Sequence, residues 1–214
     1  MQMPKVAVLT PTFRRDPKVV ERCILSVAWQ DYGGEIAHHV CSDGEDEPRI
    51  RAMIGDRFAV SRIGLTTVYH HTETRGNSFG ASVRQHLLGH PDVAGADYVV
   101  ALDDDNALLP HYVRTMVGAL EANKDKGFAI CRIVHMGPLP SHLGSPPAVL
   151  TGIPPVCRNI DTLQVMARTG LMTEVGWVAK SASDGGYFND GMTYERLGAA
   201  SAYVEVPEVL AIHL

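Results

Sequence analysis

Val99–Pro110 reads VVALDDDNALLP, and the fold turns on how that stretch is understood. The apolar run Tyr98–Leu102 has the length and the Val content of a strand buried on both faces. It stops abruptly on Asp103-Asp104-Asp105, and beyond Pro110 the residues Tyr112, Val113, Met116, Val117 and Leu120 recur on one helical face. A strand that ends in charge and passes into an amphipathic helix is one unit of an alternating α/β chain.

The same unit repeats on the N-terminal side. Lys5–Thr10 is a short β-branched strand, and Pro17 opens a helix that buries Val19, Val20, Cys23, Ile24, Val27 and Ala28 before Gly33-Gly34. Ile36–Cys41 is a second strand and runs into the acidic turn Ser42–Asp46. Pro48–Phe58 is weakly helical, and Leu65–His71 is a third strand. Phe79, Val83 and Leu87, spaced four apart, predict a helix capped by Asn77 or Ser78. Phe128–His135 is a further strand. From His135 to Pro155 the density of Gly, Pro and Ser predicts a long loop. Helical patterns around Thr162–Arg168 and Phe188–Leu197 and a last strand near Ala202–Ile212 complete the chain. The expected fold class is therefore α/β, a mostly parallel central sheet with helices on both faces, in a single domain over 1–214.

Bulk properties exclude several function classes. A chain of 214 residues with 45% hydrophobic and 20% charged residues is an ordinary globular composition. The net charge of −5 supplies no field for general nucleic-acid binding. No apolar run approaches the length that spans a bilayer, so no transmembrane segment is expected. Met1–Lys5 lacks the apolar stretch of a secretion signal, and the expected location is cytoplasmic. Cys23, Cys41, Cys131 and Cys157 are widely and irregularly spaced, which predicts reduced, mostly buried thiols rather than a zinc framework. Nothing in the pattern decides whether the chain self-associates into a homo-oligomer.

In a parallel sheet, ligands bind outside the carboxyl ends of the strands. Thr10-Pro11-Thr12-Phe13-Arg14-Arg15, Asp43-Gly44 and Asp103–Asp105 follow the first, second and fourth strands and would share one rim. Adjacent carboxylates repel, and a hard divalent cation relieves that repulsion. Residues two apart in an extended chain point the same way, so Asp103 and Asp105 can share a face. Each cluster also has a plainer reading. Asp105 or Asn106 can cap the following helix, Asp43-Gly44 can be a tight turn, and Arg14-Arg15 can be solvated charge. A guanidinium on this rim would equally suit a diphosphate.

Taken together, these residues resemble family 2 glycosyltransferases, which are inverting enzymes of the GT-A fold that transfer sugars from nucleotide diphosphates. The resemblance runs from VAVLTPTFRR at Val6–Arg15 through SVAWQDY at Ser26–Tyr32 and SDG at Ser42–Gly44 to VVALDDDNALLP. Arg75-Gly76-Asn77 with Gly80 and Arg84 is similar to the family's Gly-rich segment, with Gln85 where Asn is usual. The resemblance implies nucleotide-sugar contacts from Thr10, Pro11, Thr12, Arg14, Asp43, Arg75, Gly76, Asn77, Arg84, Asp103 and Asp104. It implies a Mn²⁺ or Mg²⁺ ion on Asp105, with His213 in PEVLAIHL as a further ligand, and a UDP-sugar donor. Residues 1–106 would hold the donor and 107–214 the acceptor. Asp184 in SASDGGYF is the expected catalytic base, with Asp190 second unless it only caps its helix. Two rivals remain: a nucleotidyltransferase, disfavoured because no Gly-rich basic loop follows the first strand, and a silent nucleotide-binding module.

Overall fold

Pro17 and Pro48 each occupy the first turn of a helix, where a missing N–H costs nothing, and Asp16 caps the first through the N–H of Lys18. In the computed structural model, which describes residues 2–58, 64–138 and 145–214, these starts set up an alternating first half. It runs β1 (Val6–Thr12), α1 (Pro17–Ala28), β2 (Ile36–Ser42), α2 (Pro48–Arg57), β3 (Leu65–His71), α3 (Ala81–Leu88), α4 (Pro91–Ala94) and β4 (Tyr98–Ala101). The second half runs β5 (Ala107–Leu108), α5 (Tyr112–Ala122), β6 (Phe128–His135), β7 (Ala148–Leu150), β8 (Val165–Arg168), α6 (Thr169–Val175), α7 (Asn189–Ala200) and β9 (Tyr203–His213). Single 3₁₀ turns lie at Thr162–Gln164, Ala182–Asp184 and Gly186–Phe188.

Among the described residues the strands form one sheet in the order β3-β2-β1-β4-β8-β6-β9-β5, with β7 on β6. The first four strands pair in parallel, as expected. The second half is mixed, because β8 runs antiparallel to both β4 and β6 while β9 is parallel to β6. β1 is buried along its whole length, and its side chains alternate between two cores. Val6 and Val8 pack with α1 and α5 through Val27, Met116 and Leu120. Ala7 and Leu9 pack on the other face with Val83, Leu87, Met172 and Leu197.

Several expectations change. The helix expected around Thr162–Arg168 is a 3₁₀ turn followed by strand β8; Val165, Met166 and Ala167 are buried on the sheet, and tertiary pairing outweighs the local pattern. The long loop expected over His135–Pro155 contains β7; residues 139–144 of it lie outside the described residues. Phe79 does not join the buried face of α3. It precedes the helix with φ +52° and is 60% exposed, and Gly80 in the left-handed region starts the helix instead. The cap position is therefore Gly80 and not Asn77 or Ser78 as expected, although Ser78 Oγ accepts the N–H of Ser82 in the first turn at 2.8 Å. Short helices α4 and α6 had no counterpart in the sequence pattern. All four cysteines are free, three of them buried.

β9 and β6 pair in parallel from Phe128↔Tyr203 to His135↔His213, with two register shifts, one on each side of Arg132. Cys131 faces Val206, Arg132 faces Val209 and Ile133 faces Ala211, so Pro207 and Glu208, and then Leu210, drop out of the ladder, where a proline costs no hydrogen bond. Beyond that bulge His213 arrives directly beside His135.

Two stability tests follow from this packing. Leu9→Ala removes a fully buried side chain from the central strand and should cost about 2–5 kcal/mol in denaturant unfolding. Glu174→Ala, at an exposed helix position, should stay within about 0.5 kcal/mol of the parent. A second test uses His39 and His70, joined Nδ1 to Nε2 at 3.0 Å, which burial and neighbouring histidines each depress from 6.5 to about 4. The unfolded chain therefore binds more protons than the folded one in that interval, so stability falls as pH drops from 6.5 toward 4. The melting temperature should track this fall, and less steeply in His70→Gln.

Candidate active site

The rim begins with the turn after β1. Thr12 Oγ1 donates to Asp104 Oδ2 at 2.7 Å, and Arg15 Nε donates to Asp104 Oδ1 at 2.9 Å. Arg15 also reaches Asp105 Oδ2 at 3.0 Å, so one guanidinium ties the end of β1 to the end of β4. Asp104 is almost fully enclosed, and burial raises its carboxyl pKa against the pull of Arg15 and Thr12. Asp103 turns the other way, onto the buried guanidinium of Arg84. Burial, and then the charges of Asp161, Asp105 and Asp104, raise the Asp103 pKa in spite of that arginine.

The turn after β2 is fixed by Asp43. Its two oxygens accept the N–H groups of Gly76 at 2.7 Å and Asn77 at 3.2 Å. Gly44 sits at φ +88°, and a Cβ there would lie 2.4 Å from the Arg75 nitrogen, so only glycine lets the two turns meet. The guanidinium of Arg75 lies over the face of Phe13, 3.8 Å from its centroid.

Two contiguous chambers open on this rim. The narrower, about 420 Å³, is bounded by Pro11, Thr12, Asp43, Arg75, Asn77 and the aspartate triplet. The wider, about 710 Å³, is bounded by His135, Arg158, Asp161, Tyr187, Phe188 and Asp190. Phe79, Asp103 and His213 line both, so the passage between the chambers is made of an aromatic ring, a carboxylate and an imidazole.

In the wider chamber Asp190 lies in the first turn of α7 and accepts the N–H of Gly191 at 2.8 Å and the hydroxyl of Thr162 at 3.3 Å. Burial first, and then the charge of Asp161, raise its pKa. His213 Nδ1 meets Asp161 Oδ2 at 2.8 Å, and its ring stacks on His135 with centroids 3.9 Å apart. Burial depresses His213, but the hydrogen bond and charge of Asp161 prevail and its pKa is raised. His135 is depressed by burial and by His213.

The structure thus brings together Pro11, Thr12, Asp43, Arg75, Asn77, Asp103, Asp104, Asp105 and His213 from the expected set. Arg84 lines the wider chamber instead. Thr10 is buried behind the rim, bonded to His38, and Arg14 turns outward to Glu45. Gly76 packs against Ser82 at a place no Cβ would fit and lines neither chamber. Asp184 is exposed, its carboxylate accepts the Ser181 hydroxyl at 2.5 Å, and it too lines neither chamber. His135 and Asp161 were missing from the expected set, and Arg15 was weighed only as half of the Arg14-Arg15 pair. His135 ends a strand and the strand-end rule would have found it. Asp161 begins Asp-Thr-Leu-Gln, which reads as a capping box and conceals any other role.

The donor atoms present suit a hard or borderline divalent cation. Asp105 and His213 face the narrower chamber, and His135, Asp161 and His213 offer ligand atoms within 4.8 Å of one another. Burial first, and then the charges of Asp161, Asp105 and Asp104, raise the Asp103 pKa, and a cation would offset the part due to those charges.

Comparison with known proteins gives this geometry a lineage. The TarS fragment 1–349 of S. aureus, solved in complex with UDP-GlcNAc, superposes with a TM-score of 0.72 at 15% identity, over 97% of this chain and 58% of that one. The mannosyltransferase PcManGT of Pyrobaculum calidifontis, in complex with GDP-Man and Mn²⁺, gives 0.62 at 16% identity, over 98% and 56%. At these identities the likeness is one of fold, and it establishes the GT-A architecture. An N-acetylglucosaminyltransferase of Bradyrhizobium elkanii is 25% identical over 133 residues, 62% of this chain and 68% of the relative. One of Rhizobium leguminosarum bv. phaseoli is 31% identical over 58 residues, 27% of this chain and 14% of the relative, so the match spans a small part of that protein. The sequence profile described as Glycosyl transferase family 2 matches residues 7–141, more than half of the chain, and the protein belongs to that family.

Proposed function

We propose that the protein transfers a sugar from a nucleoside-diphosphate donor, a UDP-sugar, to an acceptor hydroxyl with inversion at the anomeric carbon. The observation that carries this reading is the passage at Asp103 and His213, which joins a chamber rimmed by the aspartate triplet to one that contains Asp190. A donor lying in the narrower chamber would present its sugar at that passage, and an acceptor would approach from the wider side. Relatives named N-acetylglucosaminyltransferase and a structural neighbour that binds UDP-GlcNAc support the donor class.

Pro11, Thr12, Asp43, Arg75 and Asn77 would form the nucleoside end, with Phe13 and Arg75 stacked as its wall. Asp43 acts there chiefly by holding the 76–77 backbone, since both its oxygens are engaged. Of the Arg14-Arg15 pair, Arg15 would take the diphosphate part. Its side chain faces the chamber, where a guanidinium stabilises negative charge on a departing diphosphate. Asp105 and His213 would hold Mn²⁺ or Mg²⁺, which supplies Lewis-acid stabilisation of the leaving group when bound. Arg84 holds Asp103 at the passage and opposes the rise of its pKa.

The base is reassigned from Asp184 to Asp190. A general base must reach the proton it removes, and Asp184 turns toward Ser181 in solvent, whereas Asp190 lines the wider chamber. Its raised pKa makes it a better proton acceptor than an ordinary carboxylate. Asp190 would take the acceptor's proton as the oxygen attacks the face opposite the leaving group. One displacement inverts the centre and requires no covalent enzyme intermediate.

Asp190→Asn should lower kcat by about 10²–10⁴-fold with donor binding little changed, whereas Asp184→Asn should stay close to the parent. The acidic limb of the kcat/KM profile should lie above the ordinary carboxylate range, because Asp190 works only when deprotonated and its pKa is raised. Steady-state transfer assays with a UDP-sugar panel read both, and a fully active Asp190→Asn would remove that residue from the role. Chelation with EDTA should abolish transfer, and added Mn²⁺ should restore it; transfer that survives exhaustive chelation would exclude the metal.

A further inference from the structure

We infer that Asp161 is a positioning residue that fixes His213 in the tautomer with its proton on Nδ1, leaving Nε2 as the free ligand atom for the cation. This rests on the metal-dependent reading of the site and assigns a role to a residue outside the span matched by the family profile.

The donor and acceptor inventory forces the tautomer. His135 Nδ1 lies 3.1 Å from the carbonyl oxygen of Gly137, which can only accept, so that nitrogen carries the proton. His135 Nε2 is then a bare lone pair, 4.0 Å from Asp161 Oδ2, and has nothing to donate. Of the two stacked rings, only His213 can therefore donate to Asp161, and its Nδ1 is the atom in contact at 2.8 Å. With the proton on Nδ1, Nε2 of neutral His213 is unprotonated, and among the described residues it has no hydrogen-bonding partner.

Asp161 is built to hold that position. Its Oδ1 accepts the N–H of Leu163 at 3.4 Å, and its own N–H donates to Gln164 Oε1 at 2.9 Å, which closes a capping box. Gln164 is anchored in turn by the carbonyls of Cys131 at 2.9 Å and Leu150 at 3.2 Å. One oxygen thus belongs to the turn and the other to the histidine. A carboxylate that orients a ligating imidazole through its second nitrogen is the general supporting arrangement of metal sites, and its loss typically costs about 10–100-fold in affinity.

Asp161→Asn separates the two tasks. Asn caps a turn as well as Asp does, so its oxygen keeps the N–H of Leu163 and its amide nitrogen faces His213. That nitrogen only donates, so the imidazole must accept at Nδ1 and carry its proton on Nε2. ¹⁵N NMR of histidine-labelled, metal-free protein at mildly alkaline pH reads the tautomer directly. Nδ1–H is expected in the parent and Nε2–H in Asp161→Asn, with an unchanged melting temperature. EPR titration of Mn²⁺, with and without UDP, should show affinity lowered about 10–100-fold by Asp161→Asn and no further loss when the change is added to His213→Ala. Nε2–H in the parent protein would overturn the assignment even if the variant fails to fold. An equal loss in the His213→Ala background would make Asp161 an independent contributor and refute positioning. An unchanged Mn²⁺ affinity in His213→Ala itself would remove the histidine from the metal site and overturn this inference, whereas the metal-dependent reading falls only if the parent protein binds no Mn²⁺.

Discussion

Electrostatic repulsion at one end of the sheet is the constraint on which the other features depend. Asp103, Asp104, Asp105, Asp161 and Asp190 converge there, and burial together with mutual charge raises the pKa values of Asp103 and Asp190. Buried carboxylates persist only if each finds a counter-charge or hydrogen-bond donors. Arg84 compensates Asp103, Arg15 spans Asp104 and Asp105, Thr162 and Gly191 support Asp190, and His213 sits on Asp161. The compensation is local and incomplete, which leaves a site disposed to accept positive charge and to tune a proton acceptor nearby.

The sheet makes that convergence possible by mixing strand directions. In β1, β2 and β4 the chain exits at the rim, and those exits carry the Thr12–Arg15 turn, Asp43 and the triplet. β8 is antiparallel to β4, so the residues that precede it, Asp161 among them, arrive at the same edge. Parallel strands deliver their carboxyl ends to the cleft and an antiparallel one delivers its amino end. The two chambers meet because the sheet mixes both.

The legible part of the molecule was the part governed by local pattern. β3 and β6 run over the expected residues, and β1, β2, α1 and α5 differ only at their margins, because buried parallel strands and amphipathic helices carry their periodicity in the chain itself. The triplet's place on the rim followed from the strand-end rule. What escaped depended on partners remote in sequence. Val165–Arg168 is a strand because β4 and β6 flank it, and nothing inside the segment says so. Arg14 and Arg15 are indistinguishable as a pair until the turn's positive φ at Arg14 sends one outward and the other onto Asp104. Asp184 and Asp190 both precede or open a helix, and only the path of the chain over 180–190 decides which one reaches the cavity. Asp161 was hidden by having two tasks, one of them an ordinary cap.

The twice-shifted ladder between β9 and β6 has an evolutionary consequence. Pairing falls back into step only at Ala211, and from there side chains alternate between the sheet's two faces, so His213 reaches the cleft only while an even number of steps separates it from Ala211. A single-residue insertion or deletion between those positions would swing the imidazole to the opposite side while the strand itself could still pair. Lineages that keep the histidine in use must therefore change this segment in twos or leave its length alone, whereas loops on the far side of the sheet are under no such parity.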